Sequence, residues 1–332
     1  MITQKKLAEE LGLSQQLVSL CFSNPKLVKK DTLDRVLSHA EARGYKINNY
    51  ARGMKKGRFD NITVIATPLP GRMFYSYETL AGMAETLGAA GKRMSISFVS
   101  DAELSDDARM RNFLSNSASD GAVVNYPVRA PEKLRPLLEK YSIPAIWLNS
   151  DDERDAAAPD YFQAGRDAAL YLLSKGLGKI MLADFSKIPH FSPRDFENGY
   201  LSAVKDARIE PFVVPVAQNL RRSARPAAMS DIIKTLATPF GVLCFSESTL
   251  NPALAAATQA GLKIGEDAHF VCMGERYCDS AGFDTPTMIL PSKEIGKTAA
   301  AMLLRKINSG GAAIESEKCL FKLMEKPEPV KG

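Results

Sequence analysis

The sequence predicts two unlike parts in one chain, a small all-α headpiece and then an α/β body of two doubly wound parallel-sheet lobes. Three observations carry that expectation. The first fifty residues show the 3–4 spacing of amphipathic helices and no strand-like run. From residue 61 onward, short runs rich in β-branched and aromatic residues alternate with helical stretches. Charge divides at the same boundary: residues 1–60 hold 12 Lys and Arg against 6 Asp and Glu, the remainder 31 against 32. The net charge of +5 therefore sits wholly on the headpiece, as expected of a module that meets an anionic surface. With 45% hydrophobic and 24% charged residues over 332 positions, the chain can bury real cores and should hold two or three domains.

In the headpiece, QKKLAEEL (4–11) sets Leu7, Ala8 and Leu11 on one helical face, and Gly12 supplies the tight turn that ends the helix. Ser14 is a natural cap for a second helix from Gln15 to about Phe22. There Val18, Cys21 and Phe22 point inward, and Gln15, Gln16 and Ser19 share the outer face. A small residue in the first helix, a glycine in the turn and a capped second helix make a helix-turn-helix. Leu13 and Val18 fill the wedge between the helices. A third helix, Asp31 to Arg43, brings Leu33, Val36, Leu37 and Ala40 to close the core, with Gly44 as its stop. A plain three-helix bundle explains this apolar pattern but not the outward polar cluster. Glutamine pairs with adenine edges in the major groove, and serine with bases or phosphates. Lys5, Lys6, Lys29 and Lys30 would follow the phosphate backbone.

In the body, ITVIAT (62–67), RMSISF (93–98), GAVVNY (121–126) and IPAIWL (143–148) read as buried parallel strands, with helices near 76–90, 105–117 and 131–141. A second set follows: KIMLAD (179–184), PFVVPV (211–216), FGVLCF (240–245) and HFVCM (269–273), with helices near 161–175, 194–208, 226–237 and 248–260. Short right-handed crossovers then give two sheets that divide near residue 160. A last helix, Ser292 to Asn308, and the strand CLFKL (319–323) have no obvious place in the second lobe.

The stretch from TQKKLAEELGLSQQLVSL to NNYARGMKKG resembles the headpiece of the LacI/GalR family of bacterial repressors. The matching pieces are LAEELGLS, Val18 and Ser19, Val28, Thr32, Arg35 and Val36, Gly44 and Tyr45, Asn48, and Ala51 with Arg52. The resemblance continues through the body. It implies a helix-turn-helix domain over 1–48, a hinge helix and linker over 49–60, a two-lobed effector-binding and dimerisation domain over 61–323, and a tail over 324–332. The lobes would be periplasmic-binding-protein-like: lobe 1 at about 61–160 and 290–323, lobe 2 at about 161–289, with three crossings between them. It implies a DNA-facing set of Thr3, Ser14, Gln15, Gln16, Ser19, Lys29, Thr32, Tyr45, Asn48, Ala51, Arg52, Met54 and Lys55. Met54 stands where the family wedges a leucine into the minor groove, and methionine can serve as such a wedge. The partners implied are a palindromic operator duplex, a second copy of the chain, and a small sugar-like effector in the interlobe cleft.

Ligands of open parallel sheets sit at the carboxyl ends of the strands. The candidate cleft residues are accordingly Phe74, Tyr75, Asn125, Trp147, Arg194, Phe196, Glu247 and Glu275, with Tyr126, Asn149 and Asp184 nearby. Trp147 and Phe196 read equally well as core packing. Departures from the family pattern are pointed. Leu20 replaces a base-reading arginine, Ser23 an asparagine and Ile47 a proline. Phe196 stands three before Gly199, where an arginine is usual, and Glu247 replaces an aspartate. Cys272-Met273-Gly274 replaces GFD, with Glu275 one place on. Either Arg194 and Glu275 substitute from adjacent positions, or the cleft takes something other than a simple free sugar, or nothing.

Other function classes find little support. No run reaches the roughly 18 apolar residues of a membrane helix, and MITQKKLAEE lacks a secretory h-region. A cytoplasmic protein is expected, not an uptake-type solute-binding protein, which the basic headpiece also opposes. The five cysteines are scattered and read as small buried hydrophobes. His39, His190 and His269 have no metal-ligand spacing, and phosphate-cradling and nucleophile-elbow motifs are absent. No catalytic residue, metal or cofactor is assigned, and an enzyme is not expected.

Overall fold

The structure, a computed structural model, describes residues 2–46, 53, 57–68, 76–115, 118–126, 134–184, 190–215 and 220–327. The chain divides into two units, Met1–Phe59 and Asp60–Gly332.

The first unit holds α1 (Gln4–Leu11), α2 (Gln15–Ser23) and α3 (Lys30–Ala42). Its local signals are realised at the atomic level. Thr3 Oγ1 accepts the Lys6 N–H at 3.3 Å, and Ser14 Oγ accepts that of Leu17 at 3.2 Å. Gly12 turns between them at φ 66°, with the Leu13 N–H bonded back to the Ala8 carbonyl at 2.9 Å. Leu7, Ala8, Val18, Cys21, Val36 and Ala40 form the core. Leu37, expected inside, is 41% exposed. Val36 and Ala40, four apart, already occupy the inward stripe of α3, and Leu37 lies about 100° around the helix from Val36.

In the second unit the first lobe runs β1 (Asn61–Ala66), α4 (Tyr77–Ala89), β2 (Arg93–Phe98), α5 (Asp101–Ser105), α6 (Asp107–Ser115), β3 (Gly121–Asn125), α7 (Leu134–Lys140), β4 (Ala145–Leu148) and β5 (Ala156–Pro159). The second lobe runs α8 (Tyr161–Ser174), β6 (Ile180–Asp184), α9 (Phe191–Asp206), β7 (Phe212–Pro215), α10 (Arg225–Ile233), β8 (Phe240–Cys244), α11 (Glu247–Gln259), β9 (Ala268–Gly274) and β10 (Thr287–Ile289). The chain then adds α12 (Ser292–Asn308) and β11 (Glu317–Cys319) to the first lobe and β12 (Lys322–Met324) to the second.

Each sheet has six strands among the described residues, in the orders β11-β5-β4-β3-β1-β2 and β12-β10-β9-β8-β6-β7. Among the described residues the named strands pair in parallel except β10 with β12. Every residue of β3, β4, β5 and β8 is buried, as helix-covered parallel strands require.

Three expectations are corrected. The helix predicted over 105–117 is two helices, because Ser100 and Glu103 close a capping box on α5 and Asp106 then accepts the Ala108 and Arg109 N–H groups to start α6. Strands β5 and β10 went unpredicted. The strand expected over 319–323 in the first lobe is split: β11 pairs in parallel with β5, whereas β12 pairs antiparallel with β10 in the second sheet. The boundary of lobe 1 therefore falls at Cys319 rather than at 323.

Each lobe is braced by one helix pair meeting backbone to backbone. A Cβ on Gly82 of α4 would come within 2.1 Å of the Lys293 carbonyl oxygen, and one on Gly296 of α12 within 2.0 Å of that of Thr79. In the second lobe, Gly165 of α8 and Gly199 of α9 play the same parts against the carbonyls of Phe196 and Phe162, both at 2.0 Å.

Candidate nucleic-acid interface and ligand cleft

In the headpiece, the capped start of α2 presents Gln15 and Gln16 exposed, with Ser19 half-buried one turn on. The helix does not float on its core. Arg35 of α3 donates to the Leu11 carbonyl at the end of α1. Glu10 of α1 accepts from His39 Nε2 at 2.8 Å, and from Arg43 Nε and Nη2 at 3.1 and 2.9 Å. Those bonds from His39 and Arg43 hold the Glu10 carboxyl below its usual range. The sequence reading missed this network, although Glu10, His39 and Arg43 all lie on helices it had drawn.

Thr3 and Ser14, expected at DNA, are both helix caps, which places them at the positive ends of α1 and α2, where phosphates bind readily. Lys29 is exposed just ahead of α3, and Thr32 is half-buried in its first turn. Tyr45 stacks at 5.2 Å on Phe22. Asn48, Ala51, Arg52, Met54 and Lys55 lie outside the described residues, as do Phe74 and Tyr75 of the cleft set.

The cleft follows from topology. The chain leaves the first sheet at the carboxyl end of β5 and enters α8 of the second lobe; it returns from the carboxyl end of β10 into α12. A helix that precedes a parallel strand starts over the carboxyl edge of its sheet, so these edges face each other. The third crossing, β11 to β12, is two residues long, Leu320 and Phe321. Phe321 packs on Tyr161 at 5.5 Å, and the Asp160 N–H donates to the Cys319 carbonyl at 2.9 Å, which ties the first and third crossings together.

Across this junction His190 Nε2 meets the Asn149 carbonyl at 3.0 Å. Burial keeps the His190 imidazole below its usual range, against the opposing pull of that carbonyl and of Asp151 and Asp195. Arg194 is bonded to Asp195 at 3.0 Å and, across the lobes, to Asp151 at 3.2 Å. Glu275 follows β9; burial raises its carboxyl, Arg276 opposes the rise, and Glu78 of the first lobe adds to it.

Asn125 and Phe196 are essentially fully buried, and Trp147 nearly so. Phe196 sits edge-on to Phe245 at 5.4 Å, and the Arg135 guanidinium covers Trp147 at 4.4 Å. Both aromatics belong to core clusters, the packing alternative. Tyr126 is also buried, its hydroxyl bonded to the Val99 carbonyl; Asn149 follows the fourth strand at φ 55°.

Glu247 is exposed at the start of α11 and lines a recess of about 390 Å³ with Arg222, Arg225, Ser248 and Asn251, between Pro226 and Pro252. The reading from sequence missed the arginines, though Arg221-Arg222-Ser223-Ala224-Arg225 is a dense cationic run. A wider hollow of about 700 Å³ on the first lobe lies over β1 and β2, where Asn61 Nδ2 donates to Ser95 Oγ at 3.0 Å and Thr63 meets it at 3.2 Å. All five cysteines are free and buried. Among the described residues no helix is long and apolar enough to cross a membrane, and no cluster of side chains could hold a metal ion.

Comparison with known proteins places this geometry. Residues 169–326 match the periplasmic binding protein-like domain. The chain is 26% identical to the HTH-type transcriptional repressor PurR of Pectobacterium carotovorum, over 93% of this chain and 91% of that protein. It is 24% identical to catabolite control protein A of Staphylococcus epidermidis, over 92% and 93%. Among solved structures it resembles the lac repressor bound to ONPG, with a TM-score of 0.78 and 18% identity over 98% of both chains. It also resembles the transcriptional regulator CelR in complex with cellobiose, with a TM-score of 0.63 and 16% identity over 98% and 99%.

Proposed function

We propose that the chain is a transcription regulator of the LacI/GalR type, a cytoplasmic repressor whose paired headpieces read a roughly palindromic operator. The observation that carries this reading is the capped start of α2, which holds Gln15 and Gln16 clear of a helix-turn-helix braced by the Glu10, His39 and Arg43 network. Exposed amides at the N-terminal end of a recognition helix suit adenine edges, and Lys29, Lys5 and Lys6 suit the flanking phosphates. A homodimer sets two such helices at one spacing, and the cleft adjusts it. An effector shifts that balance only through different affinities for the two lobe arrangements.

Residues 49–60 act as the hinge in this reading, with Met54 as the minor-groove wedge; Met54→Gly then abolishes tight operator binding and spares dimerisation. The chain is a binding protein with no catalytic machinery. A second reading, a regulator whose cleft no longer takes a sugar, is favoured by one observation: Arg194 is engaged by Asp151 and Asp195. The test is selection of binding sites from random duplexes by the full chain, followed by salt titration. Gln16→Ala should change sequence preference and leave the salt slope alone, whereas Lys29→Ala should lower the slope by about one and weaken all sequences alike. No preference for any duplex over random competitor refutes the proposal.

A further inference from the structure

We propose that the effector carries an anionic group, a phosphate ester or a carboxylate, bound by Arg222 and Arg225 in the recess at the carboxyl edge of the second sheet. The inference rests on the reading of the cleft as a sensor and names the chemistry it senses. Three independent features of the recess point the same way.

Its charge is the first. Its lining holds two arginines, Arg222 and Arg225, and one carboxylate, Glu247. That carboxylate is engaged at the wall, where its Oε1 accepts the Cys278 thiol at 3.6 Å. Arginine is the side chain whose planar fork matches phosphate and carboxylate oxygens.

The backbone is the second. The recess is lined by the first turn of α11, a helix of 13 residues whose N-cap, Ser246, makes no side-chain cap bond. Ser246 Oγ pairs instead with Ser248 Oγ at 2.7 Å. The positive end of the helix therefore adds to the arginines instead of being spent on its own cap.

The third is size and lining. A volume of about 390 Å³ suits a small metabolite. Asn251 and Ser248 offer amide and hydroxyl groups for a polar remainder, and the two prolines give rigid apolar walls. The groups first expected to grip a neutral sugar are occupied elsewhere. Trp147 lies under Arg135, and Arg194 is shared by two aspartates.

The test uses the full chain and inorganic phosphate as the minimal probe, followed by line broadening of the phosphorus resonance. Wild type should bind phosphate saturably. Arg222→Gln and Arg225→Gln should each weaken it about tenfold or more, the loss of one charge-assisted contact. The double variant should show no saturation while keeping its far-ultraviolet circular dichroism. Calorimetry with glucose 6-phosphate, citrate and glucose then separates the sources. Preference for the first assigns a phosphate ester and preference for the second a carboxylate. Equal binding of glucose overturns the proposal, as does phosphate binding that ignores both arginines or fails to saturate. Duplex selection on the same preparation keeps the two readings apart. A chain that prefers an operator but does not bind phosphate loses only the anion assignment, and the converse result loses only the regulator.

Discussion

Lys306 and Asp155 form an ion pair at 2.6 Å with both residues less than a tenth exposed, and substituting the lysine should expose how firmly the first lobe holds its last strand. Asp155 stands just ahead of β5. Its Oδ1 accepts the Ile314 N–H at 3.0 Å, its own N–H donates to the Ile314 carbonyl at 2.9 Å, and its carbonyl accepts the Trp147 N–H at 2.7 Å. Lys306→Met leaves a carboxylate buried with no cation, an error that costs about 3–5 kcal/mol. In a unit of this size that lowers the midpoint on the order of 10 °C. Asp155→Asn keeps both the Oδ1 acceptor and a side chain that tolerates the left-handed backbone at φ 61°. Lys306→Met with Asp155→Asn should therefore recover most of the loss, with a coupling energy of about 2 kcal/mol or more. Urea unfolding followed by fluorescence reads the site directly, since the single tryptophan, Trp147, is bonded to Asp155. A loss below about 1 kcal/mol for Lys306→Met, or a double variant no more stable than the single, refutes the argument.

Three further outcomes are expected. Ser14→Ala removes the cap of α2 and should cost the headpiece about 1 kcal/mol, read as faster amide exchange at Leu17. Gly199→Ala drives a methyl group into the Phe162 carbonyl and should destabilise the second lobe by about 1–3 kcal/mol or more in urea, with little effect on headpiece exchange. The carboxyl of Glu10 is held below its ordinary value of 4.5 by His39 and Arg43. A depressed acid gives stability that is present above the unfolded value and lost as pH falls through the folded one. Headpiece stability should thus fall on acidification below about pH 5, and Glu10→Gln should flatten that dependence; an unchanged profile would remove the network from the account.

Legibility varied with how local the determinant is. Helices α1 and α2, the Gly12 turn and the Ser14 cap were readable because each is written in consecutive residues. The central strands were readable because helix-covered strands are continuous apolar runs. Strand β5 is only Ala156–Pro159, four small residues whose pairing comes from β4 and a segment 160 residues away. Strand β10 has three residues. Neither carries a pattern of its own. The run CLFKL looked like one strand because alternation cannot say that its two halves belong to different sheets. Trp147 and Phe196 were ambiguous for a related reason, since an aromatic at a strand end or helix start looks alike whether it faces ligand or core. The arginines of the recess were visible as composition, but nothing in the sequence placed them beside Glu247.

The two-residue passage through Leu320 and Phe321 has a mechanical consequence. The three Cα steps from Cys319 to Lys322 span at most about 11 Å, so the sheets remain leashed at that side. Each lobe is stiffened by glycine-paired helices. Whatever enters the gap acts on sheets already joined beside Tyr161.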